Sequence, residues 1–122
     1  MEDTLAGGLI VGGAMFLSGL LIMWMGNRMT DGRFAPSKWA GIRTPSTMKS
    51  DEAWYAAHEV GGPWMSRGGL VAAAGGLTSM LAGALGFSEG WVAGFVLAGT
   101  LPMIVMLFMA TFLGARAARE IP

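Results

Sequence analysis

Most of the residues able to do chemistry in this chain lie between Gly41 and His58, in the stretch GIRTPSTMKSDEAWYAAH. Five of them carry or accept charge, Arg43, Lys49, Asp51, Glu52 and His58, and Arg43, Asp51, Glu52 and His58 are the candidates for chemistry. Arg43 offers a planar fork of donors that suits a carboxylate or a phosphate. Its candidate partners are a lipid phosphate and the nearby Asp51 or Glu52. Thr44 precedes Pro45 and is therefore pushed out of the α region, so a stiff, extended backbone presents Arg43. His58 titrates near neutrality, and with Asp51 it could shuttle a proton; a structural hydrogen bond is the simpler role for a lone His. No nucleophile–base set, phosphate-binding glycine loop or metal-ligand cluster accompanies these residues. With no Cys and a single His, disulfides, thiolate chemistry and a His-rich metal site are excluded within one chain. The reading is a non-enzymatic protein without cofactor or metal. A formal net charge of zero gives no basic field for nucleic acid.

The element that must position these groups is a short helix. Ser50 is a good N-cap, and Asp51 and Glu52 suit the positive end of a helix dipole. The helix is expected from about Asp51 to Val60, ending at Gly61-Gly62. It would place Asp51, Trp54 and His58 on one face, with Glu52, Tyr55 and Glu59 beside them. Two settings suit it: the membrane surface with Trp54 inserted, or a lid folded under the rest of the chain.

The remainder reads as membrane. Of 122 residues, 53% are apolar and 13% charged, about half the usual charged share. Three uncharged segments are expected to span at about 5–25, 68–87 and 91–113, with a polar connection over 26–67. The first is about 21 residues, or about 31 Å of helix, which matches a bilayer core. It is read as a retained span because Glu2 and Asp3 precede it where a signal peptide would be basic. Gly8 and Gly12 in the first span, and Gly75, Ser79 and Gly83 in the second, are candidate helix-packing positions, since small residues let backbones approach in lipid. The second span should be central. Pro102 predicts a kink near Ala98 in the third. Trp24, Trp64 and Trp91 lie near span ends as interfacial anchors. All eight Lys and Arg fall on the side of the loop and C-terminus, which predicts a cytoplasmic loop and C-terminus and an external N-terminus. The spans hold no ionisable residue, which argues against an ion-coupled transporter. The fold class is all-α, three transmembrane helices joined by a polar loop with a short amphipathic helix.

At the loop the chain resembles the SdpI family of bacterial membrane proteins. The matching positions are Gly41, Arg43, Thr44, Pro45, Thr47, Ser50, Glu52, Trp54, His58 and Gly61. One apolar segment precedes them and two follow, as in the family's module; the chain looks like a short, three-span form. Ser46 departs where the family often has Trp, and Glu59 where a basic residue is common. The resemblance implies a multi-pass protein of the bacterial plasma membrane, with a role in immunity to a secreted toxic peptide and in signalling through a cytoplasmic regulator. Arg43, Thr44, Pro45, Glu52, Trp54 and His58 become candidate binding residues. The expected partners are the lipid bilayer, a second membrane protein or a second copy, and a peptide toxin or cytoplasmic regulator. The alternative is an accessory subunit of a larger membrane complex, because helices rich in small residues offer faces to partners.

Overall fold

The computed structural model describes residues 2–122, with the side chain of Glu2 left aside. Three helices form: α1 (Glu2–Thr30), α2 (Asp51–Ala84) and α3 (Glu89–Arg119). No strand occurs among the described residues. α2 lies in the middle and packs along both neighbours, while α1 and α3 scarcely touch. Two helix ends are shaped by glycine. At Gly32 (φ +73°) the chain leaves α1 with Gly32 N–H donating to Met29 O and Arg33 N–H to Arg28 O. At Gly86 (φ +83°) the same two bonds recur, from Gly86 to Gly83 O and from Phe87 to Ala82 O. Both are Schellman caps, which need a left-handed residue.

α2 begins at Asp51 as its cap implies, with the Ser50 hydroxyl accepting from Ala53 N–H at 3.1 Å. It does not end at Gly61-Gly62. It runs on through Pro63 as one helix of 34 residues, about 51 Å long. The separate short helix is thus corrected: residues 51–60 are the first turns of the central helix, and the irregular connection is 31–50. Two physical reasons account for this. Gly62 has no Cβ, so the usual conflict between Pro and the residue before it is relieved. Both glycines also face close neighbours: a Cβ at Gly61 would stand 2.8 Å from Ala110 O, and one at Gly62 2.8 Å from Gly26 O. They are packing glycines inside a helix, not a stop.

The α1–α2 seam is built from backbone. Gly12, Gly19 and Gly26 on α1 meet Gly76, Gly69 and Gly62 on α2, antiparallel, each step of seven along one helix matched by seven along the other. Added Cβ atoms at Gly12 and Gly76 would lie 2.7 and 2.5 Å from the opposite glycine's carbonyl oxygen. Toward α3, Gly75 and Gly99 approach in the same way, a Cβ at Gly75 falling 2.7 Å from Gly99 Cα. The outer faces are exposed and apolar, with Ile10, Leu17 and Leu21 on α1 and Leu101, Val105 and Phe108 on α3. By length and apolarity, α1 from Asp3 to Thr30 and α3 from Glu89 to Arg119 qualify as membrane-crossing helices. The expectation of three spans is met on this ground by two helices. α2 is long enough, but its glycines and charged first turns make it less apolar.

Candidate functional site

At the loop end of the helices, residues 34–58 fold into an interlocked knot. Gly41 sits at φ +102°, and a Cβ there would lie 2.8 Å from His58 Nε2 and 3.0 Å from Trp54 Cη2. Only glycine fits on both counts. The next residue, Ile42, is buried and wedges between α2 and α3: Cβ atoms at Gly61 and Gly114 would come within 2.5 and 2.9 Å of its Cδ1. Thr44-Pro45-Ser46-Thr47 then makes one helical turn. Thr44 Oγ1 accepts from Thr47 N–H at 3.2 Å, and Thr47 Oγ1 accepts from Thr44 N–H at 2.9 Å. This is a reciprocal cap in which a threonine does what Glu or Gln does in a capping box. Pro45 stands at the first helical position, where its missing N–H costs nothing. The buried Thr47 hydroxyl donates back to Ile42 O at 2.8 Å.

His58 and Trp54 form the other half. Both are buried and stack with ring centroids 4.2 Å apart. Phe34 covers them, nearly parallel to Trp54 at 6.1 Å and tilted on His58 at 5.4 Å. Trp54 Nε1–H donates to Phe34 O at 2.9 Å. Ile42 N–H donates to His58 Nε2 at 2.9 Å. An amide can only donate, so Nε2 is unprotonated and Nδ1 carries the hydrogen toward Trp54 O at 2.6 Å. Burial lowers the His58 pKa below its ordinary 6.5, and the hydrogen bond to Trp54 O opposes this in part. The imidazole is neutral and both nitrogens serve backbone groups. None remains to exchange a proton with Asp51, which is exposed. His58 thus takes the structural role. Trp54 is also not available to lipid, so a surface helix with Trp54 inserted is corrected: loop residues cover that ring.

The other candidate residues divide cleanly. Arg43, Pro45 and Glu52 are exposed, and Thr44 is half-buried. Arg43 makes no ion pair with Asp51 or Glu52; among the described residues the ion pair is Asp31–Arg33, at 2.8 Å. Trp24 and Trp91 are exposed and Trp64 half-buried. Arg28 lies over Trp24 at 5.1 Å, Arg67 over Trp64 at 5.0 Å, and Trp91 packs edge-on to Phe87 at 6.3 Å. The packing candidates split between two seams. Gly8, Gly12 and Gly83 lie between α1 and α2, and Gly75 faces α3. Ser79 is buried, its hydroxyl donating to Gly75 O at 2.9 Å and approaching Val92 O at 3.4 Å. The sequence reading reached Thr47 only through the family resemblance, and passed over Ile42, Phe34 and the seven-residue glycine repeat. The spacing of Gly12, Gly19, Gly26 and of Gly62, Gly69, Gly76, Gly83 was a signal that could have exposed the last.

The sequence model of the SdpI/YfhL protein family matches residues 33–110, a stretch that takes in the knot, all of α2 and most of α3. No curated protein and no solved structure matches the chain.

Proposed function

This chain belongs to the SdpI/YfhL protein family, and on that premise we propose that it is a non-enzymatic, three-span membrane protein of the immunity type that protects against, or senses, a membrane-active peptide. One observation carries the reading: the knot spends its His, Trp and both Thr side chains on internal bonds, and leaves Arg43 and Glu52 exposed and unpaired on a rigid base. Such a base suits recognition, where preorganised groups avoid the entropy cost of ordering on binding. It does not suit proton transfer.

Membrane passage of α2 is part of the proposal. The glycine seam keeps α2 beside α1 from Gly26–Gly62 to Gly8–Gly83, most of the uncharged length of α1. A helix bound backbone to backbone along a span, and joined to α3 by the short turn after Ala84, shares that span. The distribution of Lys and Arg supports a cytoplasmic knot and an external N-terminus, in the plasma membrane of a bacterium.

The test is growth of cells lacking the protein, challenged with a panel of membrane-active peptides and complemented with wild type or Arg43→Gln. Sensitivity on deletion, restored by wild type and not by R43Q at equal abundance, is the expected outcome. Unchanged sensitivity across the panel would sink the immunity reading. A stoichiometric membrane partner retained in mild detergent would instead direct attention to an accessory role.

A further inference from the structure

A cleft of about 570 Å³ opens between α1 and α2 at the loop end. Trp24, Asn27 and Arg28 of α1, Pro63 and Ser66 of α2, and Arg33 of the loop line it. Gly26 and Gly62 hold the two backbones together beside it. Its polar groups are already fixed in place by internal bonds. The Arg28 guanidinium rests over Trp24 and donates to Arg33 O at 3.1 Å. Arg33 donates to Asp31 at 2.8 Å. Each bond uses one of a guanidinium's five N–H groups, so most donors stay open. Ser66 donates to Asn27 Oδ1 at 2.7 Å, which leaves the Asn27 amide NH₂ as a further donor. The lining carries two Arg against one Asp, with Glu59 close by, its Oε1 3.5 Å from where a Cβ on Gly32 would stand.

The position of this cleft is as telling as its chemistry. From Asn27 back to Thr4, α1 carries no charge, and from Gly68 to Ser88 the chain of α2 and its turn carries none. The donors therefore stand where both helices enter the apolar layer. Below the cleft two rows of exposed aliphatic side chains descend. Leu20 and Leu9 continue the Asn27 face of α1, and Leu70, Leu77 and Leu81 continue the Ser66 face of α2. A free anion would use only the donors; a ligand with a phosphate head and long hydrocarbon tails would use the whole surface.

We infer that this cleft binds the phosphodiester headgroup of an anionic phospholipid, with its tails along the two leucine rows. Arg28 and Arg33 supply charge-assisted bonds to the phosphate, and Trp24 packs at headgroup level. The site is separate from the knot and does not depend on a role in peptide protection.

The experiment is native mass spectrometry of the full chain in mild non-ionic detergent, given equal amounts of phosphatidylglycerol and phosphatidylcholine. Preferential retention of phosphatidylglycerol is expected. Arg33→Gln should cut it about tenfold. Arg33 is exposed and its one ion pair is exposed too, so helical circular dichroism should not change. Asp31→Asn, which removes the competing carboxylate, should raise retention. The double variant R116Q/R119Q, a larger loss of charge at the C-terminal tail, should leave it alone. Equal retention of the two lipids overturns the proposal. So does a loss in R116Q/R119Q as large as in R33Q, which would mean diffuse attraction. Displacement of the lipid by millimolar inorganic phosphate would assign the cleft to a free anion.

Discussion

Along Gly12, Gly19 and Gly26 the contact between α1 and α2 is mainly backbone on backbone, with the Met80 and Ser66 side chains beside it, whereas around His58 side chains stack on one another and bond to the loop backbone. In the seam the helices are selected by what is missing: backbone meets backbone because no Cβ intervenes. In the knot they are selected by what is present, a wedge at Ile42, a stack of Phe34, Trp54 and His58, and a set of bonds that leaves no buried side-chain donor or acceptor unpaired. On the proposed membrane placement of α2, the contrast follows the solvent. Lipid gives no hydrophobic drive between helices, so close van der Waals contact must hold them. Outside lipid, burial of aromatic area and satisfied hydrogen bonds both stabilise. The two regions should therefore break in different ways.

The largest effect is expected at Gly69→Val. A Cβ there would overlap the backbone at Gly19 and Met23, where no flexible side chain can yield. Overpacking of side chains costs about 1–3 kcal/mol, and a backbone clash exceeds that. Size-exclusion chromatography should show loss of folded protein. Gly94→Val, where nothing lies within 4 Å, should fold as wild type. If both variants behave alike, backbone contact is not what holds the seam.

Next comes Gly41→Ala. The positive φ alone costs about 1–3 kcal/mol, and the new methyl meets His58 and Trp54. The knot should open while the helices persist. Trypsin should cut at Lys38, Arg43 and Lys49 faster, with unchanged helical circular dichroism. Loss of helix together with the knot would show one cooperative unit in place of two. A smaller change is expected for Thr47→Val, which strips Ile42 O and Thr44 N–H of a buried partner, at about 1–3 kcal/mol. Thr47→Ser, keeping the hydroxyl, should recover most of that loss in urea melts.

α1 and α3 were legible as long apolar helices because their signal is averaged: long uncharged runs survive any local error. α2 was misread for a local reason. Gly61-Gly62-Pro63 is a stop signal when taken in isolation, and becomes permissive only because Gly26 and Ala110 press against it from other helices. By apolarity α1 and α3 qualify as membrane-crossing helices and α2 does not; its glycines serve helix contact. In the knot, Ser50 and the Gly-x-Arg-Thr-Pro turn were visible, since caps and prolines act over four residues. The wedge of Ile42 and the bond from its amide to His58 join positions 16 apart, and no local pattern announces them. For Arg43 the sequence left a lipid phosphate and the nearby Asp51 or Glu52 as partners; that neither carboxylate reaches it is tertiary.

The smallest expected effect separates the two regions without any mutation. The groups packed on His58 are Phe34, Gly41, Ile42 and Trp54, none of which titrates. Its folded pKa lies below 6.5, chiefly from burial. The unfolded chain therefore binds a proton at a higher pH than the folded one does. Stability from this group is full above about pH 6.5 and declines as pH falls through that value toward the lowered folded pKa. Protonation would also set a second N–H against that of Ile42. Hydrogen exchange at the Ile42 amide should accordingly quicken, after correction for intrinsic rates, between pH 7.5 and pH 5. Amides beside Gly12 and Gly19, with no titrating group in their seam, should show no such change. In His58→Asn the pH dependence at Ile42 should vanish even if exchange is faster throughout. A decline of equal size in both regions would mean that acid loosens the molecule as a whole, and that the knot is no more sensitive to a proton than the glycine seam.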